Sequence, residues 1–191
     1  NALIEGKAHI AVHSMKDVPA RVNDRFLISS IMEREDPCDV FISNSYKSIE
    51  EISNGTIGSS SPRRQAMIKS LGKNINVIEM RGNINTRLKK LKNSNIDGII
   101  LAKAGLRRME MDSLITQNLS VESFVPSPGQ GVLCIECLSQ HSEIMSKIKK
   151  IVHLNTEICV SAERIFAAQM DGDCMSPVSY THLTLPTNDQ V

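Results

Sequence analysis

The sequence predicts an α/β fold with a largely parallel sheet, and three observations predict it. A short apolar strand, a polar or basic loop and a helix follow one another at least four times along the chain. Hydrophobic residues make up 41% of the 191 residues and charged residues 23%, which suits a packed core and excludes a disordered chain. The longest apolar runs, residues 99–102 and 132–135, fall far short of the ~20 residues a membrane helix needs.

The first unit is a strand His9-Ile10-Ala11-Val12 running into the loop His13-Ser14-Met15-Lys16-Asp17-Val18-Pro19. The second is Thr56-Ile57-Gly58, followed by Ser59-Ser60-Ser61-Pro62-Arg63-Arg64-Gln65. Ser61 suits a helix N-cap, Pro62 the first helical position, and Gly72 ends that helix. The third pairs the strand Asn76-Val77-Ile78-Glu79-Met80 with Arg81-Gly82-Asn83-Ile84-Asn85 and a basic helix from Thr86 to about Lys92. The fourth pairs Gly98-Ile99-Ile100-Leu101-Ala102 with Lys103-Ala104-Gly105-Leu106-Arg107-Arg108. Pro126-Ser127-Pro128-Gly129-Gln130-Gly131 is the strongest breaker cluster and predicts a crossover between domains.

A strand over residues 132–137 follows, then a helix opened by Ser142-Glu143 with Ile144, Ile148, Ile151 and Val152 on one face. Asn155-Thr156 caps a second helix, whose Ile158, Ala162, Ile165 and Phe166 predict a core-packing stripe, and Gly172 ends it. Residues 179–191 show no periodicity and no sheet to join. The chain lacks an initiating Met, and Ala2-Leu3-Ile4-Glu5-Gly6 reads as the end of a helix whose beginning is absent, so a piece of a longer protein is expected.

Five cysteines at irregular spacing make a poor disulfide framework and point to reduced thiols in the cytoplasm, and no targeting segment is recognisable. Cys134 and Cys137 have CxxC spacing, but on a strand residues three apart face opposite ways and cannot share a metal; no metal site is expected. Cys174 differs, because it follows Asp171-Gly172-Asp173 in a turn and is a candidate nucleophile or attachment point.

Arg63, Arg64, Arg81, Arg87, Arg107 and Arg108 all fall at strand ends or in the first turns of the following helices. Helix dipoles favour cations at the other end, so solvated surface charge explains the set poorly. Guanidinium groups near backbone N–H donors suit carboxylates or phosphates. Nucleic acid is the rival anion, but net charge is only +1, aromatics only 3%, and none interleaves with these loops. A small polycarboxylate or phosphorylated ligand is favoured. Asp17 beside Lys16 is either a salt-bridge partner or an acid/base group, and His13 is a packed or hydrogen-bonded histidine rather than a catalyst.

Together these loops resemble the porphobilinogen deaminase family, also called hydroxymethylbilane synthases. The matching stretches are His13-Ser-Met-Lys-Asp-Val-Pro19, Glu33-Arg-Glu-Asp-Pro37, Ser60-Ser-Pro-Arg-Arg-Gln65, Arg81-Gly-Asn-Ile-Asn-Thr-Arg87, Ala104-Gly-Leu-Arg-Arg108, Pro128-Gly-Gln-Gly131, and Ala162-Glu-Arg164 followed by Gly172-Asp-Cys174. The resemblance implies two lobes like those of periplasmic binding proteins, with a double crossover, plus a partial third α+β domain. Residues 1–32 and 132–149 would form the first lobe, 33–131 the second, and 150–178 the start of the cofactor domain. It implies a transferase of tetrapyrrole and haem biosynthesis that condenses four porphobilinogen molecules into hydroxymethylbilane with loss of ammonia. Its cofactor is a dipyrromethane held by a thioether, here through Cys174, and a soft thiol suits that bond.

Asp17 matches the family's catalytic aspartate, placed to stabilise an azafulvene-like cation and shuttle protons. Lys16, Ser61, Arg63, Arg64 and Arg87 match cofactor-binding positions; Arg81, Arg108, Ser60 and Gln130 match substrate-binding ones. A cytoplasmic monomer acting on a small molecule, with no nucleic acid and no membrane, is implied.

Two departures stand out. Asp173 replaces the family's usual glycine and either raises the Cys174 thiol pKa or alters the turn. Ser179 replaces another glycine, and beyond it the resemblance ends, so 179–191 reads as foreign sequence. The family's first strand and helix and most of its third domain are missing, so the chain is expected to be impaired and residues 1–16 destabilised. The rivals are a two-lobed binding protein for a small organic anion, which leaves Asp17 and Cys174 unexplained, and a nucleic-acid-binding regulator.

Overall fold

The structure, a computed structural model, describes residues 2–169; of Ser29 and Ser30 it describes the backbone. Eight strands occur among these residues: β1 (Ala11–Ser14), β2 (Phe26–Ile31), β3 (Asp39–Ile42), β4 (Asn54–Gly58), β5 (Asn74–Ile78), β6 (Gly98–Ala102), β7 (Gln117–Asn118) and β8 (Leu133–Leu138). Five α-helices accompany them: α1 (Pro62–Ser70), α2 (Ile84–Asn93), α3 (Lys103–Arg107), α4 (Ser142–Ile148) and α5 (Leu154–Gln169).

The strands form two sheets, one ordered β1-β8-β2 and one ordered β5-β4-β6-β3-β7. The expected parallel sheet is only partly there. β4 pairs in parallel with β5 and β6, three of the four strands that the strand–loop–helix repeat identified; the fourth, β1, lies in the smaller sheet. β3 runs antiparallel to β6 and β7, and the smaller sheet is antiparallel throughout. The cause is connectivity. β3 enters the larger sheet from β2 of the smaller one, without the crossover helix that would set it parallel.

The larger sheet is covered on both faces, as the pleat of its central strands dictates. Phe41 and Ile100 pack with Ile49, Ile52, Ile57, Ile68, Leu119 and Phe124 on one side. Val40, Ile42, Ile99 and Leu101, their neighbours in sequence, pack with Met80, Leu91 and Leu106 on the other. A third cluster, with Met15, Ile31, Val132, Cys134 and Val160, sits on the smaller sheet. Cys134 and Cys137 are both buried on β8.

Local sequence explains the two helices that follow β4 and β5. The Ser61 side chain accepts the Arg64 N–H, Pro62 occupies the first turn, and Gly72 ends α1 at φ +66°. Asn83 caps α2 by accepting the Thr86 N–H at 2.9 Å, so that helix begins at Ile84, two residues before its expected start.

The stripe expected to pack α5 into the core is only half-buried at Ala162 and Phe166 and is exposed at its two isoleucines. Ile158 and Ile165 are 48% and 60% exposed, whereas Thr156, Val160, Glu163 and Ala167 are buried. The helix is oriented by Glu163, which pairs with Arg34, and by Val160, which enters the third cluster. The expected end of that helix at Gly172, Cys174, and the segment 179–191 lie outside the described residues.

Candidate functional site

A cleft of about 400 Å³ lies at the carboxyl ends of β1, β4 and β6, closed by the start of α2 and the turn at residues 127–132. This is where open α/β sheets place their ligands. It brings together nine of the residues singled out in the sequence: Lys16, Asp17, Ser60, Ser61, Arg63, Arg64, Arg87, Arg108 and Gln130. Arg81 is not among the lining residues; its side chain is 81% exposed and pairs with Glu79 at 2.7 Å. Arg107 also points elsewhere, toward Glu35 at 2.9 Å.

Lys16 and Asp17 sit on a single 3-10 turn, Met15–Asp17, immediately after β1. Asp17 is exposed and is the one carboxylate lining the cleft among the described residues. Burial and the neighbouring Arg64 charge push the Lys16 ammonium down to about 8, against the pull of Asp17 and Asp39. Ser60 accepts the Met80 N–H at 3.0 Å, tying the loop after β4 to the end of β5. The Arg87 Nε donates to the Gly82 carbonyl at 2.8 Å, and burial together with the Arg64 charge lowers its pKa.

Arg63 and Arg64 differ from the free clamps that the sequence suggests. Both are buried in the first turn of α1 and both pair with Asp39, at 2.6 and 2.8 Å. The Arg63 Nε donates to Ser127 Oγ and its Nη1 to the Val125 carbonyl; the Arg64 Nη1 donates to the Ile100 carbonyl. Since a guanidinium has five N–H groups, Arg63 retains one for a ligand and Arg64 two. Burial disfavours the Asp39 charge, but Arg64 and Arg63 outweigh it and hold the carboxyl down to about 2.

The turn that carries Gln130 is fastened from three directions. Glu163 accepts the Gly129 N–H at 2.7 Å, Arg34 Nε donates to the Gln130 carbonyl at 2.9 Å, and Arg108 Nη2 donates to the Gly131 carbonyl at 2.7 Å. The Gln130 Nε2 donates to the Pro37 carbonyl and to Asp39 Oδ1, while its Oε1 is buried without a hydrogen-bond partner.

Sequence reasoning missed Asp39 and Glu163. The available signals were a charge heading the apolar run Asp39-Val40-Phe41-Ile42 and, for Glu163, its place in the Ala162-Glu-Arg164 stretch, in a helix that also carries Glu157. The arrangement as a whole is a cationic pocket with fixed donors, a titratable lysine, one lining carboxylate and one unfilled acceptor. It suits a ligand bearing several carboxylates and an N–H group.

Comparisons with known proteins agree with that chemistry. A family model described as "Porphobilinogen deaminase, dipyromethane cofactor binding domain" matches residues 1–146. The porphobilinogen deaminase of Clostridium botulinum (strain 657 / Type Ba4) is 44% identical over 178 residues, covering 93% of this chain and 61% of its own length. That of Francisella philomiragia is 45% identical over 175 residues, covering 91% and 58%, and that of Ruthia magnifica 40% identical over 191 residues, covering 100% and 62%. The chain thus spans about three fifths of the length of these relatives. Among solved structures, the methionine-binding protein MetQ matches with TM-score 0.53 at 11% identity, over 92% of this chain and 80% of its own. A lipoprotein from Actinomyces odontolyticus matches with TM-score 0.52 at 17% identity, over 78% and 71%. These structural likenesses show the two-lobed α/β fold of periplasmic binding proteins and nothing about ligand.

Proposed function

The chain belongs to the porphobilinogen deaminase family, and from that premise we propose that it carries the cleft of a transferase that joins four porphobilinogen molecules, with loss of ammonia, into linear hydroxymethylbilane. The observation that carries this reading is the cleft lining: Lys16, Arg63, Arg64, Arg87 and Arg108 around Asp17, the single carboxylate there among the described residues. Porphobilinogen is a pyrrole with two carboxylates and an aminomethyl group. Its carboxylates match the guanidinium and ammonium donors, and its N–H groups match Asp17.

The residues present also fit a dipyrromethane. The unpartnered Gln130 Oε1 offers an acceptor to a pyrrole N–H, while Lys16, Ser61, Arg63, Arg64 and Arg87 offer donors to its carboxylates. When bound, that group supplies the pyrrole carbon to which substrate is joined. Cys174, its proposed point of attachment, lies outside the described residues. In this reading Arg87 and Arg108 orient the carboxylates, Ser60 and Gln130 complete the contacts, and the Asp17 oxygens hold a proton and face positive charge as the amine departs. Arg81, on the exposed rim of the same loop, would meet substrate outside the cleft. Residues 1–32 with 132–149 serve as one lobe and 33–131 as the other, a division supported by their separate sheets; 150–178 would open a third domain. Action as a monomer in the cytoplasm belongs to the same proposal, and the unpaired Cys38, Cys134, Cys137 and Cys159 support a reducing compartment.

Calorimetric titration of the 191-residue chain with porphobilinogen tests the reading. Saturable binding is expected, with Arg87→Ala or Arg108→Ala each weakening it roughly 10- to 100-fold through a lost charged hydrogen bond. Absence of binding at millimolar concentration overturns it. An added dipyrromethane mass on the purified chain, lost in Cys174→Ser, separates this reading from an anion-binding protein, which carries none.

The pH dependence of binding follows from Lys16. In the empty cleft its ammonium is lost as pH rises through about 8. A bound carboxylate favours the ammonium, so binding above that pH must take up a proton. Affinity is therefore expected to fall by up to about tenfold per pH unit above 8, and Lys16→Met removes that slope. Titrations between about pH 7 and about pH 9 check it.

A further inference from the structure

Asp39 is fully buried at the head of β3 and takes no part in the contacts proposed for a ligand. We infer that Asp39 is a positioning residue, whose carboxylate locks the Arg63 and Arg64 guanidinium groups and the Gln130 amide into one preformed donor array on the cleft. The inference rests on the reading of that cleft as a carboxylate-binding site.

Four hydrogen bonds saturate the carboxylate. Oδ1 accepts Arg64 Nη2 at 2.8 Å and Gln130 Nε2 at 2.9 Å. Oδ2 accepts Arg63 Nη2 at 2.6 Å and Arg64 Nε at 3.2 Å. A carboxylate has about four acceptor sites, so none is left for a ligand or a migrating proton. Asp39 therefore acts only through its partners.

Those partners come from two other places in the chain, the first turn of α1 and the turn between the sheets. Two adjacent guanidinium groups at a helix N-terminus repel each other and the helix dipole, and Arg87 adds a third charge nearby. The Ser127, Val125 and Ile100 oxygens each hold one group alone, whereas Asp39 is the anion that offsets the repulsion and binds both. An asparagine of the same shape would turn an N–H against a guanidinium. With Asp39 in place, the remaining N–H groups on Arg63 and Arg64 are already oriented and desolvated, so binding a carboxylate needs little rearrangement. It also orphans the Gln130 Oε1, because Asp39 and the Pro37 carbonyl both demand the Nε2 side of that amide.

Two measurements test the inference. In the ligand-free 191-residue chain labelled with ¹⁵N-arginine, blocked rotation should give Arg63 and Arg64 separate Nη resonances, unlike the exposed Arg81, whose signals average. Averaged signals for Arg63 and Arg64 overturn the proposal. Asp39→Asn, studied at a temperature where its circular dichroism is native, should merge those resonances and raise the dissociation constant for porphobilinogen at least tenfold. A folded Asp39→Asn chain with unchanged affinity shows a merely structural role and overturns the proposal. Should that variant not fold, the resonance pattern of the unsubstituted chain decides alone. Locked guanidinium groups in a chain that binds no porphobilinogen would instead overturn the ligand reading and leave the locking itself established.

Discussion

Replacing Glu163 by alanine is expected to destabilise the chain by about 3–5 kcal/mol, because it leaves a mostly buried guanidinium without its counter-charge. Glu163 binds Arg34 through both oxygens, at 2.5 and 3.2 Å, and the two side chains are only 11% and 15% exposed. The same carboxylate accepts the Gly129 N–H, so its loss also leaves a buried backbone donor unsatisfied. Removing both charges should cost less than removing one, since Arg34→Met with Glu163→Leu exchanges the pair for apolar contact. Thermal melts of the single and double variants check this. A Glu163→Ala loss below about 1 kcal/mol would place the pair among the weak surface bridges instead.

Gly131→Ala is expected to be comparably damaging, at roughly 3 kcal/mol or more, from two independent causes. Gly131 has φ +89°, a conformation that costs an L-residue about 1–2 kcal/mol. A Cβ there would also press into the Glu35 carbonyl oxygen, which is backbone and cannot swing aside. The Glu35 N–H donates to the Gly131 carbonyl at 3.1 Å, so the two segments joining the sheets are held in close contact at this point. Gly72→Ala is the matching control, since φ there is +66° but nothing lies within 4 Å of the added carbon. For a chain of this size the difference between the two variants should appear as several degrees in melting temperature. Equal melting temperatures would show that the crowding at Gly131 is relieved by backbone adjustment.

What the sequence made legible was local. Ser61, Pro62 and Gly72 marked both ends of α1 because capping chemistry is contained within a few neighbouring residues. Arg63, Arg64, Arg87 and Arg108 were legible as cleft residues for the same reason, since each follows a strand end closely, but Arg81 and Arg107 share that placement and point elsewhere. Asp39 was not, because its partners lie 24, 25 and 91 residues away, and nothing around it distinguishes a buried keystone from a surface charge. Apolar periodicity identified α5 but not the face that is buried. Helical spacing is satisfied equally by Ile158 with Ile165 and by Val160 with Ala167, and the decision falls to a carboxylate 129 residues from its arginine. β3 was hidden for a related reason, since Pro37 and Asp39 both read as loop residues until the sheet that buries them is known.

The position of β8 between β1 and β2 sets a timetable for biosynthesis. His13 meets Glu136 across 123 residues, and neither β1 nor β2 can pair with β8, which lies between them, until residue 138 has left the ribosome. The strands from Asp39 to Asn118, by contrast, pair only with one another and can close into a sheet while synthesis continues. Lys16 and Asp17 follow β1, so the carboxylate nominated for chemistry is made more than a hundred residues before the strand that seats it. During that interval β1 and β2 both lack β8, the strand that joins them. It is there, rather than in the five-stranded body, that a nascent chain would most need a chaperone.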